Sequence, residues 1–265
     1  MRIVRLGPLF TPVLLLFVSA AQAQQASAPA PRDPQSVTLL QRSLAALVGT
    51  NTVKDVTLNA SATWIAGSDN ESGTATLKAT SIGQGRVDLS LSSGQRSEIA
   101  DSSQAAPTGS WCGSDGVWHS IAGHNLFTDP SWFFPTFLIA RALSTSNYAV
   151  TAVDAETKNG ISVEHFAVYQ QIPQADKLTA SLSRIDIYLD PSTLFPVSFS
   201  FSAHPDNDAR TNIPLEIRFS GYQSTQGILV PYHLQKFIQN GLALDVTVTG
   251  VEVNGGIAAT EFQVQ

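Results

Sequence analysis

Cysteine is nearly missing from this chain: Cys112 is the only one among 265 residues. A single thiol cannot close an intramolecular disulfide, so the folded state must rest on buried apolar surface. Charge is thin too, at 14% Asp, Glu, Lys and Arg, and neither sign gathers into a long block. Charge scattered in this way serves solubility rather than marking a binding surface. Two of the 15 basic residues are Arg2 and Arg5; without them 13 stand against 21 acidic residues, a net of −8. That balance argues against nucleic acid and anionic lipid surfaces as the main attraction. Beyond residue 23 no apolar run nears the ~20 residues of a membrane-spanning helix, so no stable membrane insertion is expected.

Catalytic signatures are missing as well. There is no Gly-x-Ser-x-Gly elbow, since Trp111 holds the middle position between Gly109 and Gly113. No glycine-rich loop follows a strand and opens a helix to cradle phosphate. His119 and His124, with Asp115 and Asp129 close by, invite a metal or acid–base reading. Their odd separation puts them on opposite faces of an extended strand, so they converge only if Ala122-Gly123 turns. No further His or Cys stands at ligand spacing, and the default reading is a pair of surface or turn histidines. Cys112 reads as a small buried hydrophobe. The expectation is therefore no catalytic residue, no metal and no cofactor.

The N-terminus carries a recognisable export pattern. Arg2 and Arg5 precede an apolar run from Leu9 to Ala20, and Ala21-Gln22-Ala23 supplies a small-x-small cleavage site. Residues 1–23 are expected to be a signal peptide cleaved after Ala23, delivering the chain to the periplasm. A Gln/Ala/Ser/Pro stretch over 24–35 is too poor in bulky apolar residues to pack and reads as a disordered tether. Residues 36–265 form one domain.

Alternation dominates that domain. Ile185, Ile187 and Leu189 share one face against Arg184, Asp186 and Tyr188. Phe195, Val197, Phe199 and Phe201 oppose Ser198, Ser200 and Ser202, and Leu215, Ile217 and Phe219 oppose Glu216 and Arg218. A period of two, broken by Asp-Pro, Gly and Asn, means half-buried antiparallel strands. Roughly eleven or twelve strands follow in order, ending with a short piece at 261–264, and a meander of that size must curl. Two helical segments interrupt it. Ser36 to Val48 has an apolar stripe, Ser36 as N-cap and Gly49 as stop. In Asn125 to Ser144, Asp129-Pro130 makes a cap and first-turn pair, and Pro135 is expected to split or kink the helix. There Trp132, Phe133, Phe134, Phe137, Leu138, Ile139, Ala142 and Leu143 run almost all the way round.

The segments Tyr188-Leu-Asp190-Pro191 with Leu194-Phe-Pro196, Phe219-Ser-Gly-Tyr222 with Gly227 to Pro231, and Val251 to Asn254 with Phe262 give the chain a family likeness. Together with the element order, they make it resemble the LolA/LolB-like outer-membrane lipoprotein carrier superfamily, most sharply over residues 183–265. The resemblance implies a mostly β (α+β) fold: a curved antiparallel sheet forming an incomplete barrel, with helices capping or plugging an apolar cavity that holds acyl chains. The sequence departs from the anchored receptor branch in having no lipid-attachment cysteine. Its 113–125 segment, with two histidines and flanking tryptophans, is not a feature of lipoprotein carriers, so the resemblance is to a distant branch.

A helix apolar on every side has protein on both flanks, or protein and a greasy ligand. Trp64, Trp111 and Trp118, with Trp132, Phe133, Phe134, Phe137, Leu138, Phe199, Phe201 and Phe219, are the candidate cavity lining. The leading expectation is a non-enzymatic carrier whose partners are lipid or lipoprotein acyl chains. The alternatives are an envelope sensor binding a partner protein and, more remotely, a hydrolase using His119 or His124. The sequence leaves the oligomeric state open.

Overall fold

The computed structural model describes residues 30–171 and 177–265. The expected signal peptide and the first part of the tether lie outside them. Alternating residues build a single antiparallel sheet of fourteen strands. In chain order these are β1 (Asp55–Ala66), β2 (Asp69–Thr80), β3 (Gln84–Leu91), β4 (Gly94–Asp101), β5 (Thr108–Cys112), β6 (Trp118–Ser120), β7 (Tyr148–Ala152), β8 (Glu156–Lys158), β9 (Ile161–Gln170), β10 (Ile185–Leu189), β11 (Pro196–Ala203), β12 (Ile213–Thr225), β13 (Ile228–Ile238) and β14 (Gly241–Val253). The spatial order is β6-β5-β4-β3-β2-β1-β14-β13-β12-β11-β10-β9-β7, with β8 also pairing β9. The fold is mostly β and the sheet stays open, an incomplete barrel with, among the described residues, three α-helices: α1 (Pro34–Val48), α2 (Pro135–Ser144) and α3 (Lys177–Leu182).

This order decides where the greasy segment goes. The first long strand pairs with the last, Trp64 opposite Leu244, so the two ends of the sheet sequence meet at its middle. The outermost strands are then β6 and β7, and residues 121–147 are the chain that joins them. This connection crosses the inner face of the curled sheet. The residues from Asp129 to Ile139 are accordingly all buried. Val56, Leu58, Leu77, Ile187, Phe199, Ile217, Leu234 and Val246 join them in one core.

Several local expectations are corrected. Of the two outcomes expected at Pro135 the segment is split, not kinked: Pro135 opens α2. Its ring lacks the N–H that a first-turn residue leaves unbonded anyway, and residues 130–134 form separate turns. Asp33, not Ser36, caps α1: its carboxylate accepts from the Ser36 amide at 2.7 Å and the Ser36 hydroxyl at 2.6 Å. The 261–264 piece is not a strand: its first two residues end a 3-10 turn at Ala259–Phe262 and the rest is irregular. The strand count exceeds eleven or twelve partly because β8 pairs with β9.

The end of the tether is fastened. Residues 31–33 pair with the β7 edge, the Asp33 amide donating to the Val150 carbonyl at 2.8 Å and the Val150 amide to that of Pro31 at 2.9 Å. The Arg32 guanidinium donates to the carbonyls of Ala142 and Leu143, which the end of α2 leaves open, and to those of Thr145 and Tyr148 beyond it.

Candidate inner-face groove

Half of the inner face is full. Phe133, Phe134, Phe137 and Leu138 are each no more than 2% exposed, with Phe134 edge-on to Phe137 at 4.8 Å and Phe199 edge-on to Phe219 at 4.9 Å. α1 packs against α2 and, beside it, against β13 and β7, so this segment has protein on its flank as well as beneath it. The space under Trp132 to Leu143 is occupied by the segment's own rings.

The other half is hollow. Cross-strand register places Lys236 beside Leu244, Leu244 beside Trp64 and Trp64 beside Glu71. From the far side it places Leu89 beside Arg96, and Val87 beside Glu98, which neighbours Trp111. Two adjoining hollows lie over these residues, of about 180 and about 250 Å³. Trp64, Val87, Leu89 and Leu244 wall the first; Ile121, Leu126, Phe201 and Leu215 wall the second. Trp111, Trp132, Glu98 and Lys236 border both. Trp132 thus stands as a post between them. It is held from below, because the Asp129 carboxylate accepts from the Ser131 amide at 2.8 Å and hydroxyl at 2.6 Å while Arg141 pairs with Asp129.

Each tryptophan here carries a basic neighbour. The Arg96 guanidinium lies 4.1 Å from the Trp64 ring centre, the Lys236 ammonium 4.8 Å from Trp132, and His119 stacks on Trp111 at 4.5 Å. Arg96 is also tied to Glu71 at 3.2 Å. Hydrogen bonds from Ser93 first, then from Arg96 and Ser92, hold the Glu71 carboxyl below its usual range. Glu71 is therefore ionised and offsets the Arg96 charge.

The remaining expected site residues separate into groups. Trp64, Trp111, Trp132 and Phe201 meet around the groove, and Trp111 is 43% exposed there. Phe133, Phe134, Phe137, Leu138, Phe199 and Phe219 are core residues that line neither hollow. Trp118 is half-buried on β6, opposite Cys112, and lines neither. Cys112 is itself half-buried rather than enclosed. Ala122-Gly123 does turn, into a 3-10 turn at Gly123–Phe127, but the histidines do not converge: His124 bonds the Pro205 carbonyl at 2.9 Å. Among the described residues no group of three or more His, Cys, Asp or Glu is placed to hold a metal.

Two features of the outer face were missed by sequence reasoning. The larger hollow of about 420 Å³ there is polar, but its charges are matched by Arg184–Asp186, Arg218–Glu216 and Lys158–Glu216 pairs. Its size does not outweigh that saturation. Ser220, His233 and Asp245 form a line across β12, β13 and β14, with Ser220 Oγ 3.2 Å from His233 Nδ1 and His233 Nε2 3.0 Å from Asp245. The nearby hollow opens at the Asp245 end and does not include Ser220, so the hydroxyl has no substrate seat there.

No family model matches this chain, and no curated protein does. Solved structures do match its shape. A domain named as an outer membrane lipoprotein-sorting protein, from Vibrio parahaemolyticus, superposes with a TM-score of 0.56 over 86% of this chain and 96% of its own, at 13% identity. A LolA superfamily protein from Nitrosomonas europaea gives 0.54 over 86% and 97%, at 9% identity. The fold is LolA-like. At such identities the likeness concerns architecture alone. The LolA-like half-barrel here is one whose inner face is half plugged by its own edge-to-edge connection. Among the described residues no helix is long and apolar enough to cross a membrane.

Proposed function

We propose that this protein is an exported, non-enzymatic carrier that holds a lipid, acyl chain or lipoprotein anchor in the groove between Trp64, Trp111 and Trp132. The observation that carries this reading is the hollow itself. Val87, Leu89 and Leu244, themselves buried, floor a hollow of about 180 Å³ whose rim carries the exposed side chains of Trp111 and Ile238. Open apolar surface in a concave site is the usual mark of a ligand seat. The two hollows together reach only the lower end of the ~300–1,000 Å³ typical of ligand sites, which suits a single chain rather than several. The periplasm is the proposed compartment, with cleavage after Ala23.

Native mass spectrometry of the mature protein, isolated from an envelope fraction under mild conditions, is expected to show a mass adduct in the lipid range. A neutral fluorescent apolar probe should bind the delipidated protein and be displaced by alkyl-chain ligands. A delipidated protein that takes up neither probe nor alkyl chain would sink the carrier reading.

A further inference from the structure

We propose that the groove selects an amphipathic anion: a single alkyl chain between the tryptophans, with its carboxylate or phosphate head against Lys236. This rests on the carrier reading and adds the head-group class and the residue that reads it.

Lys236 sits at an inward-facing position of β13, in register with Ile217 on one side and Leu244 on the other. Both neighbours are buried. A lysine at such a position gives up part of its hydration, which a nearby anion would restore. Among the described residues its ammonium has one partner, the Trp132 ring, and no carboxylate. Arg96, the other cation on this wall, is already tied to Glu71. The groove therefore holds one cation whose charge is not matched by an ion pair, and both hollows open onto it.

The acidic residues place the head more closely. Glu98 borders both hollows, and Asp206 and the Arg141-paired Asp129 line only the one of about 250 Å³. The hollow of about 180 Å³ has Arg96 and Lys236 against Glu98 alone. An anion is favoured at that end, with its chain running past Trp132 toward Leu126 and Phe201. Glu98 then opposes the head by like-charge repulsion, so removing its charge should tighten binding.

The test compares ligands with the same tail and different heads. Dodecanoate, dodecyl phosphate, dodecanol and inorganic phosphate each compete with N-phenyl-1-naphthylamine for the mature protein in mildly alkaline buffer. Both alkyl anions are expected to bind about tenfold more tightly than dodecanol, the scale of one charge-assisted contact in a partly desolvated site. Inorganic phosphate should not compete. Lys236→Met should erase the gap, Lys236→Arg should keep it, and Glu98→Gln should widen it, with circular dichroism confirming that each variant is folded. Equal binding of anions and dodecanol, unchanged in Lys236→Met, would overturn the head-group assignment while leaving the carrier reading intact. Competition by inorganic phosphate alone would overturn it in favour of a small-anion site. Failure of every ligand would remove the carrier reading and this inference together.

Discussion

Trp132 and Phe137 lie on the same edge-to-edge connection, and truncating each should do opposite things. Phe137 is 2% exposed, edge-on to Phe134 and enclosed by the core. Burying a phenylalanine contributes roughly 1.5–3 kcal/mol, and an aromatic pair adds about 0.5–1.5 kcal/mol. A void that cannot collapse brings Phe137→Ala to about 3–5 kcal/mol of lost stability. Trp132 is nearly as buried, but it borders two hollows, so part of its surface already lacks protein partners. Its removal also forfeits the Phe133 edge contact at 5.5 Å and the Lys236 contact, so the loss falls at the low end of the same range, about 3 kcal/mol. Urea unfolding monitored by circular dichroism should therefore rank Phe137→Ala as the more damaging. Displacement of a bound apolar probe should rank them the other way, because only Trp132→Ala merges the two hollows and alters the seat. If Phe137→Ala changed probe affinity at least as much as Trp132→Ala, the division into a filled half and an open half would be wrong.

Gly85 is a second sharp point, since a Cβ built there would stand 2.1 Å from the Pro130 carbonyl oxygen. Gly85→Ala should push the turn before Trp132 off β3 and cost more than about 1 kcal/mol in urea unfolding, against a few tenths for Ala at an open strand position. Acid should destabilise the fold in a defined window. Asp33, Glu71 and Asp190 are all held below their ordinary values of 3.8, 4.5 and 3.8, chiefly by hydrogen bonds from Ser36, Ser93 and Ser192 respectively. A depressed folded value means the stability is complete above about pH 4.5 and is lost as pH falls through the folded values, so thermal midpoints should decline only below that point. A steady decline from neutrality would point to a different set of groups.

The strands were legible because burial on one face imposes a period of two. In β10, β11 and β12 the alternation of Ile187, Phe199 and Ile217 with Asp186, Ser200 and Glu216 matches the observed register. Turn chemistry was legible where glycine breaks the alternation and a positive φ is required, as at Gly227. The helix boundaries were not. Proline reads equally as a kink or as a first residue, and only the space available to residues 130–134 decides between them. β8 was missed because three polar residues, Glu156 to Lys158, carry no apolar phase of their own.

The groove was half legible, and the reason lies in what alternation leaves out. Hydrophobicity identifies the inner face only where that face is apolar. In β4 the apolar residue is Ile99, which invites placing Ile99 inside and Arg96 and Glu98 outside. The register does the reverse: Ile99 lies beside Arg86 and Ser110 on the outer face, at strands covered by the C-terminal turn that carries Phe262. The phase in β13 was stronger. Ile228, Val230, Tyr232, Leu234 and Ile238 share one parity, and Lys236 interrupts it. A lysine in an apolar phase loses water for some compensating reason. Here the compensation visible in the protein is one indole ring at 4.8 Å. An ammonium so placed, between two open hollows, has its strongest unmet partner in an anion that the chain itself does not supply.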